Sequence, residues 1–400
     1  MNRSYEICRF NYYLNTFSDN IIFFILCIRK FNILFSYELF IPFDIIKYII
    51  IFFIECKLYN NNNIHISCGG NRSLIIKNNR LIPCSCNNDK IYENDKIKYG
   101  RDMARSVFHF DEEDILLSSI EEDRAFILTP QGLKEYNNIG YPLGWIKRYF
   151  PYKIISMSSC NQFTLFQTTE GLFIDCSNLI KQLYLPYRHN YVIPLPNVIL
   201  ISCKNETSFA LTIDGLYAFG CNRYCQLGIN EKINYIHTFK KLLIHNVISI
   251  ACGGEHTLIL TSKGLFGCGI SNHFDGIPNS FVVVNGNEIG CCMKPQKLNI
   301  SNVISMSCGD QNSLVLLSDG SLYGCGKDDW GQTGLTYNPF IPYRIFGKIK
   351  INNILAFACE RSYSLIVTEE GLFSCGRNSF LCYINQTNKK YNELKFINKI

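Results

Sequence analysis

Several motifs that mark common enzymes are missing from this chain of 400 residues. It contains no G-x-x-x-x-G-K-[ST] phosphate-binding loop, no G-x-S-x-G nucleophile motif and no H-E-x-x-H zinc motif. Its seven histidines are scattered along the sequence. These absences exclude a P-loop GTPase, and they predict no catalytic residue, no cofactor and no metal site.

Long hydrophobic runs and basic clusters are also missing. The apolar runs 21–28 and 49–54 fall short of the about 18 uninterrupted apolar residues expected of a membrane-spanning helix. The net charge is +6, but no stripe of Lys and Arg with interleaved aromatic residues occurs. This argues against direct nucleic-acid binding.

The chain does contain a repeated sequence motif. Clear copies start at Asn197, Asn246, Asn302 and Asn353, and weaker copies precede them. Every copy after the first has a glycine after its second apolar run, whereas the first copy has Arg80 in that position. The repeated glycines are Gly132, Gly171, Gly215, Gly264, Gly320 and Gly371. Seven copies result, and such self-similarity predicts a repeat architecture.

Each copy indicates three short strands. In the copy at Asn246, bulky residues at 248, 250 and 252 alternate with small ones, as in a strand. A second strand runs into Lys263-Gly264, a two-residue hairpin signal, and a third strand follows. Several antiparallel strands per copy predict an all-β, seven-bladed β-propeller.

The ends of the chain predict how the ring closes. Each late copy is preceded by a segment such as 295–300, and the chain ends with a similar segment, 393–400, that no copy follows. We therefore expect the C-terminal strand to pair with the first repeat, which removes the exposed sheet edges. The predicted domains are a hydrophobic N-terminal extension, 1–60, and the propeller, 61–400.

The copies resemble the repeat of the regulator of chromosome condensation family, with a CG-x-x-H-[ST] run, a polar-Gly turn and an N-x-x-x-Q-L-G segment. Matching stretches are 252–258, 214–220 and 222–228. The resemblance implies a seven-bladed propeller. This chain departs from the family where Cys268, Cys325 and Cys375 replace a tryptophan, and only His256 keeps the repeat's histidine.

The twenty cysteines contain no Cys-x-x-Cys pair, so their spacing does not indicate zinc. Many recur instead at fixed repeat positions, where a cysteine acts as a small buried hydrophobe. One such column consists of Cys68, Cys203, Cys252, Cys308 and Cys359. The sequence predicts that these cysteines, the repeated glycines and His256 are structural positions. So many free thiols favour a reducing compartment, either cytoplasm or nucleus.

Residues 1–60 leave three interpretations open: a hydrophobic extension packed on the propeller, a membrane anchor through residues 20–56, or a poorly folded segment. Charged residues interrupt this stretch rather than only flanking it, which favours the packed extension. Membrane association remains the alternative to a purely cytoplasmic or nuclear location.

Two functions follow from the resemblance. The first is a non-catalytic protein–protein interaction platform, because a propeller presents loops on a rigid ring. The alternative is guanine-nucleotide exchange on a small Ran-like GTPase, which the family's founding member performs. Family members in plants sense light through clustered tryptophans. This chain has only Trp145 and Trp330, which disfavours that role. The insertion at 281–284 indicates either a partner contact or an added strand.

Overall fold

A computed structural model describes residues 64–398 of the chain. Stretches inside this range that are not described are 70–71, 78–79, 86–114, 121–123, 138–143, 149–151, 161–162, 169, 177–190, 196, 275–279, 285–286, 336–344 and 378–389. Ile64–Ile400 forms one compact unit. The predicted N-terminal extension lies outside the described residues.

The described residues form 28 strands in seven antiparallel sheets, which we number in chain order. Sheets 1 to 3 contain β1 (Ile64–Gly69), β2 (Arg72–Lys77), β3 (Arg80–Ser85); β4 (Leu117–Ile120), β5 (Arg124–Thr129), β6 (Gly132–Asn137), β7 (Gly144–Arg148); β8 (Ile154–Ser159), β9 (Phe163–Thr168), β10 (Gly171–Cys176) and β11 (Tyr191–Ile193). Sheets 4 and 5 contain β12 (Val198–Lys204), β13 (Thr207–Thr212), β14 (Gly215–Cys221), β15 (Tyr235–Lys241); β16 (Val247–Cys252), β17 (His256–Thr261), β18 (Gly264–Ile270), β19 (Ser280–Val284) and β20 (Asn287–Lys297). Sheets 6 and 7 contain β21 (Val303–Cys308), β22 (Asn312–Leu317), β23 (Leu322–Gly326), β24 (Gly347–Lys348); β25 (Ile354–Cys359), β26 (Tyr363–Thr368), β27 (Gly371–Arg377) and β28 (Lys390–Asn398).

Each sheet is a meander in which consecutive strands pair. Six sheets have four or five strands, whereas sheet 1 has three among the described residues. Sheet 5 has five because β19 pairs with β20, so the insertion at 281–284 is an added strand. The described residues contain one 3-10 turn, Ser271–His273, and no helix long and apolar enough to cross a membrane.

The seven sheets form a ring around their first strands. β1 contacts β4, and the contacts continue through β8, β12, β16, β21 and β25 back to β1. Hydrophobic residues of neighbouring sheets pack between them; for example, Leu211 and Leu216 of sheet 4 share a cluster with Ile250 and Ile259 of sheet 5. The fold is therefore an all-β propeller, as expected from the repeats.

The predicted pairing of the C-terminal strand with the first repeat is not confirmed. β28 pairs with β27 and completes sheet 7. The segments that precede the late copies behave in the same way: β20 and β24 pair with the third strand of the copy before them. The ring closes instead where Ile64 and Ile66 pack against Leu365 and Val367 of sheet 7.

The strand order gives the ring two different ends. The first strand of each sheet runs towards one end, where the chain turns into the second strand; we call this the loop end. The second and third strands are joined at the opposite, hairpin end. The six repeated glycines start the third strands or, for Gly320, lie in the turn, all at positive φ between 82° and 151°. That backbone conformation favours glycine over residues with a Cβ.

Serine hydroxyls connect neighbouring first strands at several junctions. The backbone N–H of a residue near the end of one first strand donates to a serine of the preceding sheet. The donor–acceptor pairs are Ile120 N to Ser67 Oγ at 3.1 Å, Ser159 N to Ser119 Oγ at 2.8 Å, Cys203 N to Ser158 Oγ at 2.9 Å and Cys359 N to Ser307 Oγ at 2.9 Å. The innermost strand is an edge of its sheet, so these bonds satisfy donors that no strand can reach.

Candidate functional site

A buried ion pair crosses the loop end of the ring. Lys204 ends β12 and Glu360 follows β25, and their side chains form a salt bridge. Only 7% of the Lys204 side chain and 3% of the Glu360 side chain are exposed. Burial raises the pKa of Glu360, and the nearby Lys204 ammonium opposes that change. Because sheets 4 and 7 are not neighbours in the ring, this pair links first strands that share no junction.

A second polar cluster joins sheets 5 and 6. The Glu255 carboxylate accepts hydrogen bonds from Gln311 Nε2 at 2.9 Å and His273 Nε2 at 3.0 Å. Burial raises the pKa of Glu255, but these hydrogen bonds outweigh it and hold the pKa below its usual value. Glu255 is therefore an ionised acceptor at neutral pH, already committed to two donors.

The turns after the first strands also contact one another directly. The backbone N–H groups of Gly254 and Glu255 donate to Gly309 O at 3.2 Å and Asp310 O at 3.1 Å. Arg361 Nε lies 3.7 Å from Asp310 Oδ2, and the Arg361 side chain is largely exposed. The loop end around the axis is thus a fixed polar surface with an exposed cation.

Two equivalent loops rise at the same end between third and fourth strands. In sheet 4, Asn222 Oδ1 accepts from Leu227 N at 3.0 Å, and in sheet 6 Asp328 Oδ1 accepts from Thr333 N at 2.7 Å. Buried glutamines brace both loops: Gln226 Oε1 accepts from Tyr224 N and Gln332 Oε1 accepts from Trp330 N. The N-x-x-x-Q-L-G segment, residues 222–228, therefore forms a rigid loop.

These loops place an aromatic residue at the loop end. Trp330 is 38% exposed, and the Arg377 guanidinium lies 4.9 Å from the centroid of its ring. A partly exposed tryptophan on a braced loop is typical of binding surfaces. We define the loop-end surface as residues 204–206, 222–234, 253–255, 309–311, 327–335 and 360–362.

The predicted cysteine column lies at the ends of the first strands. Cys203, Cys252, Cys308 and Cys359 are buried and Cys68 is half-buried. Burial raises the pKa of Cys68 and Cys359 to about 12, so their thiols stay protonated at neutral pH. Cys203 Sγ and Cys252 Sγ contact the carbonyl oxygens of the preceding sheets at 3.3 and 3.4 Å.

The cysteines that replace the family's tryptophan make a comparable contact. Cys268 Sγ lies 3.3 Å from Gln226 O, and Cys375 Sγ lies 3.5 Å from Gln332 O. Each thiol thereby touches the braced loop of the preceding sheet. At these two positions a cysteine thus contacts the neighbouring sheet.

His256 lies between sheets 5 and 6 and is 0% exposed. Its Nε2 is 2.6 Å from Ser313 Oγ, and Ser313 Oγ donates to His273 O at 2.9 Å. The hydroxyl oxygen therefore accepts from His256 Nε2–H. Burial and the neighbouring His273 hold the pKa of His256 well below its usual value. A neutral, inaccessible imidazole fits a packing and hydrogen-bonding position.

Among the described residues, no group of three or more His, Cys, Asp or Glu side chains is arranged to hold a metal ion. Sequence reasoning missed the Lys204–Glu360 pair. A signal was available, since both residues occupy the repeat position that holds Gly253 and Gly309 in sheets 5 and 6. Two charges of opposite sign in a position otherwise held by glycine point to a mutual contact.

Family models match three stretches of the chain. The model described as regulator of chromosome condensation (RCC1) repeat matches residues 214–260, and a second model of the same description matches 247–274 and 303–332. These stretches lie within sheets 4 to 6, the region where the repeated motif is clearest.

Two similar proteins are GTPase regulators by name. The X-linked retinitis pigmentosa GTPase regulator homolog of Caenorhabditis elegans is 31% identical over 111 residues, which is 24% of this chain and 8% of the relative. The human X-linked retinitis pigmentosa GTPase regulator is 33% identical over 78 residues, 19% of this chain and 8% of the relative. The chain thus matches a small part of each relative.

A solved structure has a similar fold. Prp20p from Saccharomyces cerevisiae superposes with a TM-score of 0.59 at 20% sequence identity, covering 76% of this chain and 82% of Prp20p. This similarity extends beyond the stretches that the family models match. Fold and repeats together define a repeat β-propeller with braced loops at one end.

The particular repeat is the one that the family models match. Within residues 214–274 and 303–332 the chain contains repeats that match the regulator of chromosome condensation (RCC1) repeat.

Proposed function

We propose that this chain is a non-catalytic platform that binds another protein through its loop-end surface. The proposal rests on one observation above all: the loop end combines an exposed tryptophan and arginine with a rigid, hydrogen-bonded support. Trp330 lies in a turn that Gln332 braces by a hydrogen bond, and Arg361 forms an ion pair with Asp310 of the neighbouring turn. Preorganised loops lose little conformational entropy on binding, which favours recognition.

The experiment compares partner capture by the full chain with capture by a Trp330→Ala, Arg361→Ala variant. Proteins that bind through the loop end should be lost from the variant. The matched control is Lys263→Ala at the hairpin end, which should keep them. If the loop-end variant captures the same proteins in the same amounts, the loop end is not the binding surface.

The alternative function is guanine-nucleotide exchange on a small GTPase. The names of the two relatives support it, and the Prp20p structure is described with its binding to Gsp1p and histones. Exchange needs no acid–base group, because an inserted loop only has to weaken nucleotide contacts and favour the empty state. The test is release of a fluorescent guanine nucleotide from a panel of Ran-like GTPases. No acceleration by the full chain would remove this alternative.

We further infer that the ring is a seven-bladed propeller with β1–β3 as its first blade. Support comes from the contacts that β1 makes with both β25 and β4. For location we propose cytoplasm or nucleus, supported by the free, buried cysteines.

Membrane attachment through residues 20–56 is tested by carbonate extraction, where complete release of the chain would exclude an anchor.

A further inference from the structure

The hairpin end of the ring carries most of the exposed large apolar side chains. Six of the ten such side chains among the described residues lie there, and they belong to four different sheets. They are Leu116, Tyr152, Ile155, Ile213, Leu243 and Ile304. Single exposed apolar residues are ordinary on a protein surface, but their concentration on one side marks an interaction surface.

A recurrent backbone irregularity produces part of this surface. Ile155 and Ile304 are skipped in the pairing of β8 with β9 and of β21 with β22, and they are 49% and 47% exposed. The same register shift leaves Ile199, Ile248 and Leu355 unpaired in sheets 4, 5 and 7, where they pack partly on the core. A β-bulge re-aims its side chain, so these five first strands each present an Ile or Leu that is left out of the strand pairing.

Leu243 is the most exposed of these residues. It lies between β15 and β16, and its neighbours Leu242 and Ile244 are buried in the core. The two buried neighbours fix the turn and direct Leu243 into solvent, where it is 98% exposed. A leucine held in this way is ready to enter an apolar phase without rearrangement of the ring.

Exposed lysines lie at the same end of the ring, in sheets 4 to 6. Lys241, Lys297 and Lys348 lie at matching positions on the strands that pair with the third strands of sheets 4, 5 and 6, opposite Tyr217, Phe266 and Tyr323. Lys263 and Lys350 are exposed at the same end. Two exposed aspartates, Asp214 and Asp319, oppose these five lysines, and Asp214 is paired with Lys241 at 3.1 Å. The hairpin end of sheets 4 to 6 is therefore positively charged.

We propose that the hairpin end docks on the surface of a lipid bilayer that contains anionic lipids. Exposed apolar side chains of four sheets lie at the same end of the ring, and a bilayer can contact several sheets at once, whereas one peptide would meet only a few. The lysine excess complements anionic headgroups, and Leu243 reaches the acyl region. This surface is opposite to the loop-end surface, so protein binding and membrane docking are compatible.

The experiment is sedimentation of the full chain with phosphatidylcholine vesicles, with and without phosphatidylserine. We expect binding only with phosphatidylserine. Each lysine near such a surface contributes about fivefold to binding, so the triple variant Lys263→Gln, Lys297→Gln, Lys348→Gln should bind about 100-fold more weakly. Leu243→Ala should bind about tenfold more weakly.

The matched control is Arg223→Gln, Lys232→Gln, Lys327→Gln, which removes the same charge from the loop end. It should bind like the unmodified chain. Residues 1–63 are present in every variant, so their contribution to binding is the same throughout, and circular dichroism verifies that the variants fold. Equal binding by the two triple variants, or no binding to phosphatidylserine vesicles by the unmodified chain, overturns the proposal. The latter result would point to an acidic protein surface instead.

Discussion

Two kinds of junction hold the ring together, and the difference between them shows what the repeat has to supply. Between sheets 3 and 4, Ser158 accepts a backbone hydrogen bond from Cys203 at 2.9 Å. Between sheets 5 and 6, the position of Ser158 is occupied by Ala251, which has no hydroxyl. There His256 Nε2 lies 2.6 Å from Ser313 Oγ, in addition to the bonds between the two turns described above.

The junction that closes the ring repeats the second pattern. Ala358 of sheet 7 has no hydroxyl, and Tyr363, in the same repeat position as His256, lies 2.7 Å from Ser73 of sheet 1. Ser73 Oγ donates to Cys68 Sγ, so it accepts from Tyr363. Where the first strand has alanine instead of this serine, the imidazole or phenol side chain at the start of the second strand forms a hydrogen bond to the next sheet. The requirement is thus a polar link at each of these junctions, supplied by either of two repeat positions.

The largest expected difference between the two kinds of junction comes from His256→Ala. The change removes a buried ring, leaves a cavity beside Phe274 and takes away the hydrogen bond to Ser313. We expect a loss of about 3 kcal/mol in the free energy of unfolding, measured by urea denaturation. His245→Ala, at an exposed position, is the control and should change little. A loss below that of Ser158→Ala would contradict the assignment of His256 as the main link of its junction.

A smaller difference between the two kinds of junction is expected in how the free energy of unfolding depends on pH. His256 has a lowered pKa in the folded chain, so the unfolded chain binds the proton more readily. Its stabilising contribution is complete above the unfolded pKa of about 6.5 and is lost as the pH falls below that value, by up to about 1.4 kcal/mol per pH unit.

The measurement is the urea midpoint of the unmodified chain and of His256→Asn between pH 7 and pH 5. The variant should lose part of the dependence on pH, whereas Ser158→Ala should keep all of it. An unchanged pH profile in His256→Asn would show that other groups control acid stability.

The smallest effect is expected for Ser158→Ala. It removes one hydrogen bond to Cys203 N and leaves that donor without its serine partner, at a cost of about 1 kcal/mol. Ser156→Ala, two residues earlier in β8, is the matched control. If both variants lose the same amount, the serine link does not stabilise the junction.

Much of this fold was predictable from the sequence, because strand alternation and Lys263-Gly264-type turns are local signals. The predicted pairing of the C-terminal strand with the first repeat was not confirmed, because the order of segments alone does not say whether 393–400 pairs with the copy before it or with the first copy. Register decides it: Phe396 lies opposite Phe373 in sheet 7. Likewise, Cys68 was recognised as a repeat position, but not the serine before it that bonds to the next sheet.

The loop-end surface was less predictable. Its braced loops are visible in the sequence as N-x-x-x-Q-L-G and its variant, but the Lys204–Glu360 pair joins residues that are distant in the chain and lie in sheets that are not neighbours. Only the closed ring brings them together. The hairpin-end surface was also not predicted, because each bulge residue looks like an ordinary strand residue in a single copy.

The central claim is that the first and last sheets close the ring directly, and a double-mutant cycle between Ser73→Ala and Tyr363→Phe tests it most directly. The two residues are far apart in sequence but 2.7 Å apart in the closed ring. We predict a coupling energy of about 1 kcal/mol from the urea unfolding of the two single variants and the double variant. Strictly additive effects would contradict closure at this junction.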